Sequence, residues 1–417
     1  MKGILILIDG LGDLPCVLLN NKTPLESART PNLDELAKKS KLGYMYPIKE
    51  KVVPESDSAI LSLFGCDFCM GYRGILEALG AGVEAKHGDL AIRTNFATID
   101  NMDNKQIIDR RAGRNLTTKE AIILAREINK KVKLNSCKFI FKATAQHRGV
   151  LVLKGGFSDN ITNTDPAYHS QGKAKLSDKF KFSEPLDEEE ISHFTANVVN
   201  EFIEKSHKIL NEHPVNKERI KKGLLPANIL LTRDASVDLP KLKKFNKWAS
   251  MCYMPLEIGI SKALGMKNFS FNYPDLKDYD VYENLNYALK IACKYAIKVL
   301  RKQYKKYDYL YIHFKEIDVP GHDNKPLEKK AMIEILDKFF FSYLLKFIKK
   351  LKIKVLVTAD HSTPCRIKGH SDDPVPVLYY NGNEEIATEQ KFNESDAKKG
   401  ELGKIYGKDL LKRIGFE

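Results

Sequence analysis

No stretch of the 417 residues approaches the roughly 20 consecutive apolar positions that a membrane span requires. That argues against a membrane-spanning protein, and no membrane partner is expected. The apolar start runs only from Ile4 to Ile8 before Asp9 ends it, and no small-residue cleavage site follows. It is too short for the core of a signal peptide, so it reads as the buried first strand of a cytoplasmic protein. Cysteine is sparse and odd in number, seven in all, which argues against a disulfide framework. Cys66 and Cys69 form one C-x-x-C, but a zinc ribbon needs a second pair and there is none; reduced, partly buried thiols are expected. Internal repeats and low-complexity tracts are also missing.

The net charge is +14, yet no zinc-finger, homeodomain or aromatic RNA-binding pattern accompanies it. The lysines lie in amphipathic stretches such as "EKKAMIEILDKFFFSYLLKFIKK", where they form a solvated helix face. No nucleic-acid partner is expected. A positive field does suit a small anionic substrate. A hydrophobic fraction of 43% and a charged fraction of 29% fit a soluble globular chain. The length allows two or three domains, or one large domain with an insertion.

Three short apolar runs read as buried parallel strands: "GILILI" (3–8), "YLYIHF" (309–314) and "KVLVTA" (354–359). A fourth, "PVPVLYY" (374–380), is flanked by prolines and reads as an edge. Helical patterns lie between them, which implies an α/β fold with a largely parallel central sheet and helices on both faces. From about Cys69 to Gly223 the pattern is mixed, with strands such as "LAIRTNFATI" and "GVLVLKG" and a helix in "TTKEAIILAREIN". It reads as an inserted α+β domain, residues 70–223, in a discontinuous core made of 1–69 and 224–417.

The strand ends carry the chemistry. Asp9 follows the first strand, Asp318 and His322 follow the second, and Asp360 and His361 follow the third, with His370 soon after. Ligands of open α/β sheets bind at the carboxyl ends of strands. Imidazole and carboxylate together suit a divalent ion such as zinc, manganese or magnesium, and two such ions about 4 Å apart can clamp a phosphoryl group. Ser56, in "VVPESDSAILSLFG", has an ordinary reading as a helix cap. Beside a metal, and at a helix start whose free N–H groups favour an anion, it becomes a candidate nucleophile.

These motifs resemble, in order and over nearly the whole chain, the alkaline phosphatase superfamily and within it the archaeal-type cofactor-independent phosphoglycerate mutases. The similarity covers "ILILIDGLGD", "KTPLESARTPNLDELA", "SDSAILSLFGCD", "RGILEALGAGV", "DRRAGR", "HRGVLVLKG", "HFKEIDVPGHDNKP", "TADHSTPC" and "HSDDPVPVL". The resemblance implies an alkaline-phosphatase-like core and two divalent metal ions, Mn²⁺ or Mg²⁺, with Co²⁺ or Zn²⁺ tolerated by the same ligands. One ion is expected on Asp318, His322 and His370, the other on Asp9, Asp360, His361 and Ser56. Ser56 would carry the phosphoryl group between 3-phosphoglycerate and 2-phosphoglycerate without 2,3-bisphosphoglycerate.

For a small phosphorylated substrate, "DRRAGR" offers Arg110, Arg111 and Arg114, and "HRGVL" offers His147 and Arg148. Guanidinium forks bind phosphate and carboxylate bidentately, although each arginine could equally pair with acids of the insertion. Lys315 is a further phosphate candidate. His147 is the expected proton carrier, with Asp57 the alternative. Oligomeric state is left open. Lysine and glutamate enrichment is a statistical signal for an archaeal or thermophilic source. The chain departs from the family pattern at Glu55, Ile60, Asp234, Ser236 and Ile258.

Overall fold

The structure is a computed structural model, described here for residues 1–66, 71–167, 179–275, 280–349, 351–383 and 388–416. Strands β1 (Gly3–Ile8) and β2 (Lys41–Tyr46) begin the first sheet. Strands β3 (Leu90–Ile99), β4 (Ile107–Asp109), β5 (Lys138–Ala143), β6 (Arg148–Lys154) and β7 (Ile229–Ser236) form a second. The first is completed by β8 (Trp248–Met251), β9 (Lys267–Asn268), β10 (Tyr309–Phe314), β11 (Lys354–Thr358), β12 (Val375–Tyr380) and β13 (Gly403–Tyr406).

The eight strands of the first sheet run in the order β13-β2-β12-β11-β1-β10-β8-β9. Pairing is parallel except where β12 meets β11 and β2. All six residues of β1 are buried, because both of its faces are covered, as a central parallel strand requires. Its position between β10 and β11 brings three strand ends side by side.

The expectation of an edge at residues 374–380 fails: β12 lies between β11 and β2. Pro376 is tolerated because β11 pairs only with Leu378, Tyr379 and Tyr380. The proline therefore sits past the end of that ladder, where its missing N–H costs no bond.

The second sheet is antiparallel and has its own core, with Phe96, Phe141 and Phe202 among its buried side chains. Strand β7 pairs with β3 although it follows residue 224, where the sequence places the return to the main core. The chain re-enters the first sheet only at Trp248. The Arg73–Ala81 helix joins the two halves, packing on β3 and on the Pro255–Ala263 helix. A Cβ on Gly80 would overlap the Pro255 carbonyl, and one on Gly259 would overlap that of Leu76. Only glycine permits this backbone-to-backbone approach.

Cys66 is disulfide-bonded, so the expectation of a reduced thiol does not hold there; Cys69 lies outside the described residues. Cys16, Cys137, Cys252, Cys293 and Cys365 are free.

Candidate active site at the strand ends

Ser56 is the first residue of the Ser56–Leu63 helix, and the N-cap is Glu55. Glu55 and Ser58 form a capping box, in which the Ser58 hydroxyl accepts from the Glu55 N–H at 3.2 Å and donates to the Glu55 carbonyl at 3.0 Å. Ser56, one position past the N-cap, takes no part in that box. Its buried Oγ lies 3.2 Å from His361 Nε2.

Three histidines share one orientation. The Thr363 hydroxyl donates to Asp318 Oδ1 at 2.7 Å, so it accepts from His361 Nδ1 at 3.0 Å. His370 Nδ1 donates to the Pro54 carbonyl at 2.9 Å, and His322 Nδ1 to the Lys368 carbonyl at 3.4 Å. Each bond fixes the proton on Nδ1 and leaves the Nε2 lone pair facing carboxylates. His361 Nε2 lies 3.5 Å from Asp9 Oδ1 and 3.3 Å from Asp360 Oδ2. His322 Nε2 lies 3.2 Å from Asp318 Oδ2, and His370 Nε2 lies 4.0 Å from Asp318 Oδ1. Lone pairs facing anions repel unless a cation lies between them.

Asp9 Oδ2 meets the Lys315 ammonium, whereas Asp9 Oδ1 and Asp360 Oδ2 are buried without a hydrogen-bond partner among the described residues, a costly state for carboxylate oxygens. The donor set therefore fits divalent cations. Two groups bring ligand atoms within 4.8 Å of one another: Asp9, Asp360 and His361, and Asp318, His361 and His370. His361 belongs to both, while His322 meets the second through Asp318. Gly10, at φ +59°, turns the chain sharply after Asp9 and presses against Asp318 and Thr363. Its N–H and that of His361 hold Asp360 Oδ1, each at 3.1 Å.

The electrostatics agree with this arrangement. Burial pushes the His361 ring down to about 3, so it is neutral near pH 7. Burial raises Asp318, and positive charge at His322, His361 and His370 would hold it well below the usual carboxylate range; with those rings neutral, a bound cation has to supply that charge. Asp57 is pushed up to about 6 by burial, against the opposing pull of Arg73.

The expected substrate arginines divide. Arg110 makes a fork with buried Asp165 at 2.8 and 2.6 Å, inside the second lobe. Arg114 makes a fork with Asp323, one bond at 2.7 Å, and Asp323 also accepts from the Tyr282 hydroxyl at 2.7 Å. That clasp ties the insertion to the chain just past His322. Arg148 reaches Met254 Sδ at 3.7 Å, and its buried Nε has no hydrogen-bond partner. His147 is buried; burial first, then Arg148, Arg111, Arg93 and Arg114, press its pKa well below the ordinary value. Lys315 does not face solvent: it pairs with Asp9 and, at 2.9 Å, with Glu257.

Arg73, Glu77, Arg93, Arg233, Glu257 and His313 were not singled out from the sequence. Arg73 lies 3.4 Å from Glu55, 3.9 Å from Asp57, 3.2 Å from Glu77 and 3.8 Å from Asp234. Two departures from the family pattern, Glu55 and Asp234, thus meet at one guanidinium. Arg93 reaches Glu77 at 3.2 Å, and its pKa is pushed down to about 9 by burial and by neighbouring Arg233 and Arg73. A charge inside a strand as apolar as "LAIRTNFATI" was the available signal.

Serine at a helix start, facing carboxylates and bare imidazoles at the ends of parallel strands, defines an α/β protein of the metal-dependent phosphoryl-transfer class. Residues 37–216 match the family model described as 2,3-bisphosphoglycerate-independent phosphoglycerate mutase. The chain is 40% identical over 429 residues to the mutase of that name from Pyrococcus horikoshii, covering 98% of this chain and 95% of that one. It is 39% identical over 420 residues to the mutase from Methanosphaera stadtmanae, covering 99% and 96%. A solved structure of a Pyrococcus horikoshii protein aligns with a TM-score of 0.74 at 32% identity, over 99% of this chain and 96% of that one. The cofactor-independent phosphoglycerate mutase of Thermoplasma acidophilum aligns with a TM-score of 0.57 at 30% identity, over 100% and 99%. The chain belongs to the 2,3-bisphosphoglycerate-independent phosphoglycerate mutase family.

Proposed function

We propose that this protein interconverts 3-phosphoglycerate and 2-phosphoglycerate in glycolysis and gluconeogenesis, through a phosphoserine at Ser56 and without 2,3-bisphosphoglycerate. The observation that carries the reading is the Ser56 hydroxyl, free of capping duty, 3.2 Å from His361 Nε2 and beside Asp9 and Asp360. Asp318, His322 and His370 would hold one divalent cation and Asp9, Asp360, His361 and Ser56 a second, and when bound these would supply Lewis-acid charge for phosphoryl transfer.

Ser56 Oγ forms the new P–O bond as the ester bond to the substrate's 3-oxygen breaks, and that oxygen takes a proton. The glycerate then reorients, its 2-hydroxyl attacks the phosphoserine, and Ser56 is regenerated. First-turn N–H groups of the Ser56–Leu63 helix and Lys315 hold the phosphoryl oxygens. Arg111 and Arg148, with Arg93 close by, bind the carboxylate in the second lobe; its negative charge offsets the arginines that depress His147, which lets that ring move the hydroxyl proton. Arg110 and Arg114, engaged by Asp165 and Asp323, shape that lobe. The substrate lies between the inserted domain and the core, where exclusion of water protects the phosphoserine. The work is cytoplasmic; among the described residues, no helix is long and apolar enough to cross a membrane.

An enolase-coupled assay with 3-phosphoglycerate and Mn²⁺, and no bisphosphoglycerate, tests the reading. Formation of 2-phosphoglycerate is expected. Release of inorganic phosphate with no 2-phosphoglycerate would refute it in favour of a phosphatase.

A further inference from the structure

Beside the two ligand groups lies a third convergence, of Asp9, Glu257 and His313, with ligand atoms within 4.8 Å of one another. Glu257 stands in the first turn of the Pro255–Ala263 helix and is 2% exposed. Its Oε1 is 2.9 Å from Lys315 Nζ, while its Oε2 is buried without a hydrogen-bond partner. Lys315 also pairs with Asp9 Oδ2, the oxygen that His313 Nε2 approaches at 3.3 Å. The Lys315 backbone is fixed in turn, its N–H donating to the Tyr253 hydroxyl at 2.9 Å.

Asp9 is therefore claimed twice, by the lysine ammonium and by the cation that the Asp9, Asp360 and His361 group is built to hold. Glu257 is claimed once. Burial pushes the Glu257 carboxyl up to about 8, against the pull of Arg73, so the Lys315 ammonium at 2.9 Å is the close charge that favours its ionised form. Without the Glu257 carboxylate the ammonium would lean on Asp9 alone, where its positive charge opposes a divalent ion at the same carboxylate.

We propose that Glu257 is the positioning residue of Lys315, a dedicated carboxylate seat that keeps the ammonium beside the cation site while Asp9 turns to the metal. Lysine and metal then occupy adjacent seats and do not compete for one. The role of Lys315 as a phosphoryl contact rests on the proposed function; the competition for Asp9 does not.

The test is calorimetric titration of the metal-stripped protein with Mn²⁺. Glu257→Gln should weaken binding by about tenfold or more, because Lys315 then leans on Asp9 alone. Lys315→Met should bind Mn²⁺ more tightly than wild type, and the double variant should recover at least wild-type affinity. Wild-type affinity in Glu257→Gln, or a double variant as weak as Glu257→Gln, would overturn the proposal, the latter by making Glu257 a packing residue. Should Glu257→Gln fail to fold, Lys315→Met alone decides, and unchanged affinity there refutes the competition. At saturating Mn²⁺, Glu257→Gln should lower kcat more than it raises KM for phosphoglycerate. A wild-type chain with no mutase activity but the predicted titrations would sink the proposed function and leave the seat for Lys315 standing.

Discussion

Lys329→Met is a sharp probe of how the site is held together. Lys329 is fully buried, yet its ammonium meets the Gly12 carbonyl at 3.1 Å, Asp13 Oδ2 at 2.8 Å and the Thr363 carbonyl at 3.0 Å. All three acceptors lie on the two loops that carry Asp9, Asp360 and His361. Methionine keeps the length and removes the charge, stranding the Asp13 carboxylate. Breaking a buried pair from one side costs about 3–5 kcal/mol. Asp13 would keep the backbone N–H groups of Leu14 at 2.7 Å and Cys365 at 3.1 Å, so the lower end, about 3 kcal/mol, applies. At about 2–4 °C per kcal/mol for a large domain, Tm should fall by about 6–12 °C. Thermal unfolding followed by circular dichroism measures this, and Asp13→Asn added to Lys329→Met should recover most of the loss. Mn²⁺ affinity should fall as well, because the two loops are no longer tied. A drop under about 1 kcal/mol, the scale of a surface pair, would refute the assignment of Lys329 as the tie.

Gly259→Ala should destabilise by about 3 kcal/mol or more, since the new methyl overlaps the Leu76 carbonyl and overpacking of this kind strains the backbone; denaturant unfolding reads it, and a neutral result would contradict the close helix contact. Burial pushes the Glu394 carboxyl up to about 7. A raised acid contributes stability below its unfolded value near 4.5 and loses it as pH climbs towards 7. Glu394→Gln should therefore match wild type at pH 4 and exceed it at pH 8; equal stability at both would show that the carboxyl is not raised. Mn²⁺ at a hundred times its Kd should stabilise the stripped protein by about 2.7 kcal/mol, and an unmoved melting curve would contradict binding at the strand ends.

The residues differ in how much of this could be read from sequence. β1, β10 and β11 were legible because strands buried on both faces are continuously apolar, and their polar ends place Asp9, Asp318 and Asp360 at one rim. β12 was misplaced because flanking prolines signal an edge, and only the register shows that Pro376 lies past the end of the β11 ladder. The pairing of Arg110 with Asp165, 55 residues away, and of Arg114 with Asp323, 209 residues away, depends on tertiary proximity that spacing does not encode. Glu257 and His313 went unnoticed for the same reason. Each is a lone polar residue in an apolar stretch, given meaning by the approach of Lys315 and Asp9. The return of the chain to the first sheet was set too early because β7 carries the same apolar signature as a core strand.

Acid quenching of the Mn²⁺-loaded protein during turnover of 3-phosphoglycerate, followed by peptide mapping, tests the central claim most directly. One phosphoryl group on Ser56 is predicted, with neither label nor turnover in Ser56→Ala. A Ser56→Ala variant that still forms 2-phosphoglycerate, or a label on another residue, would contradict it.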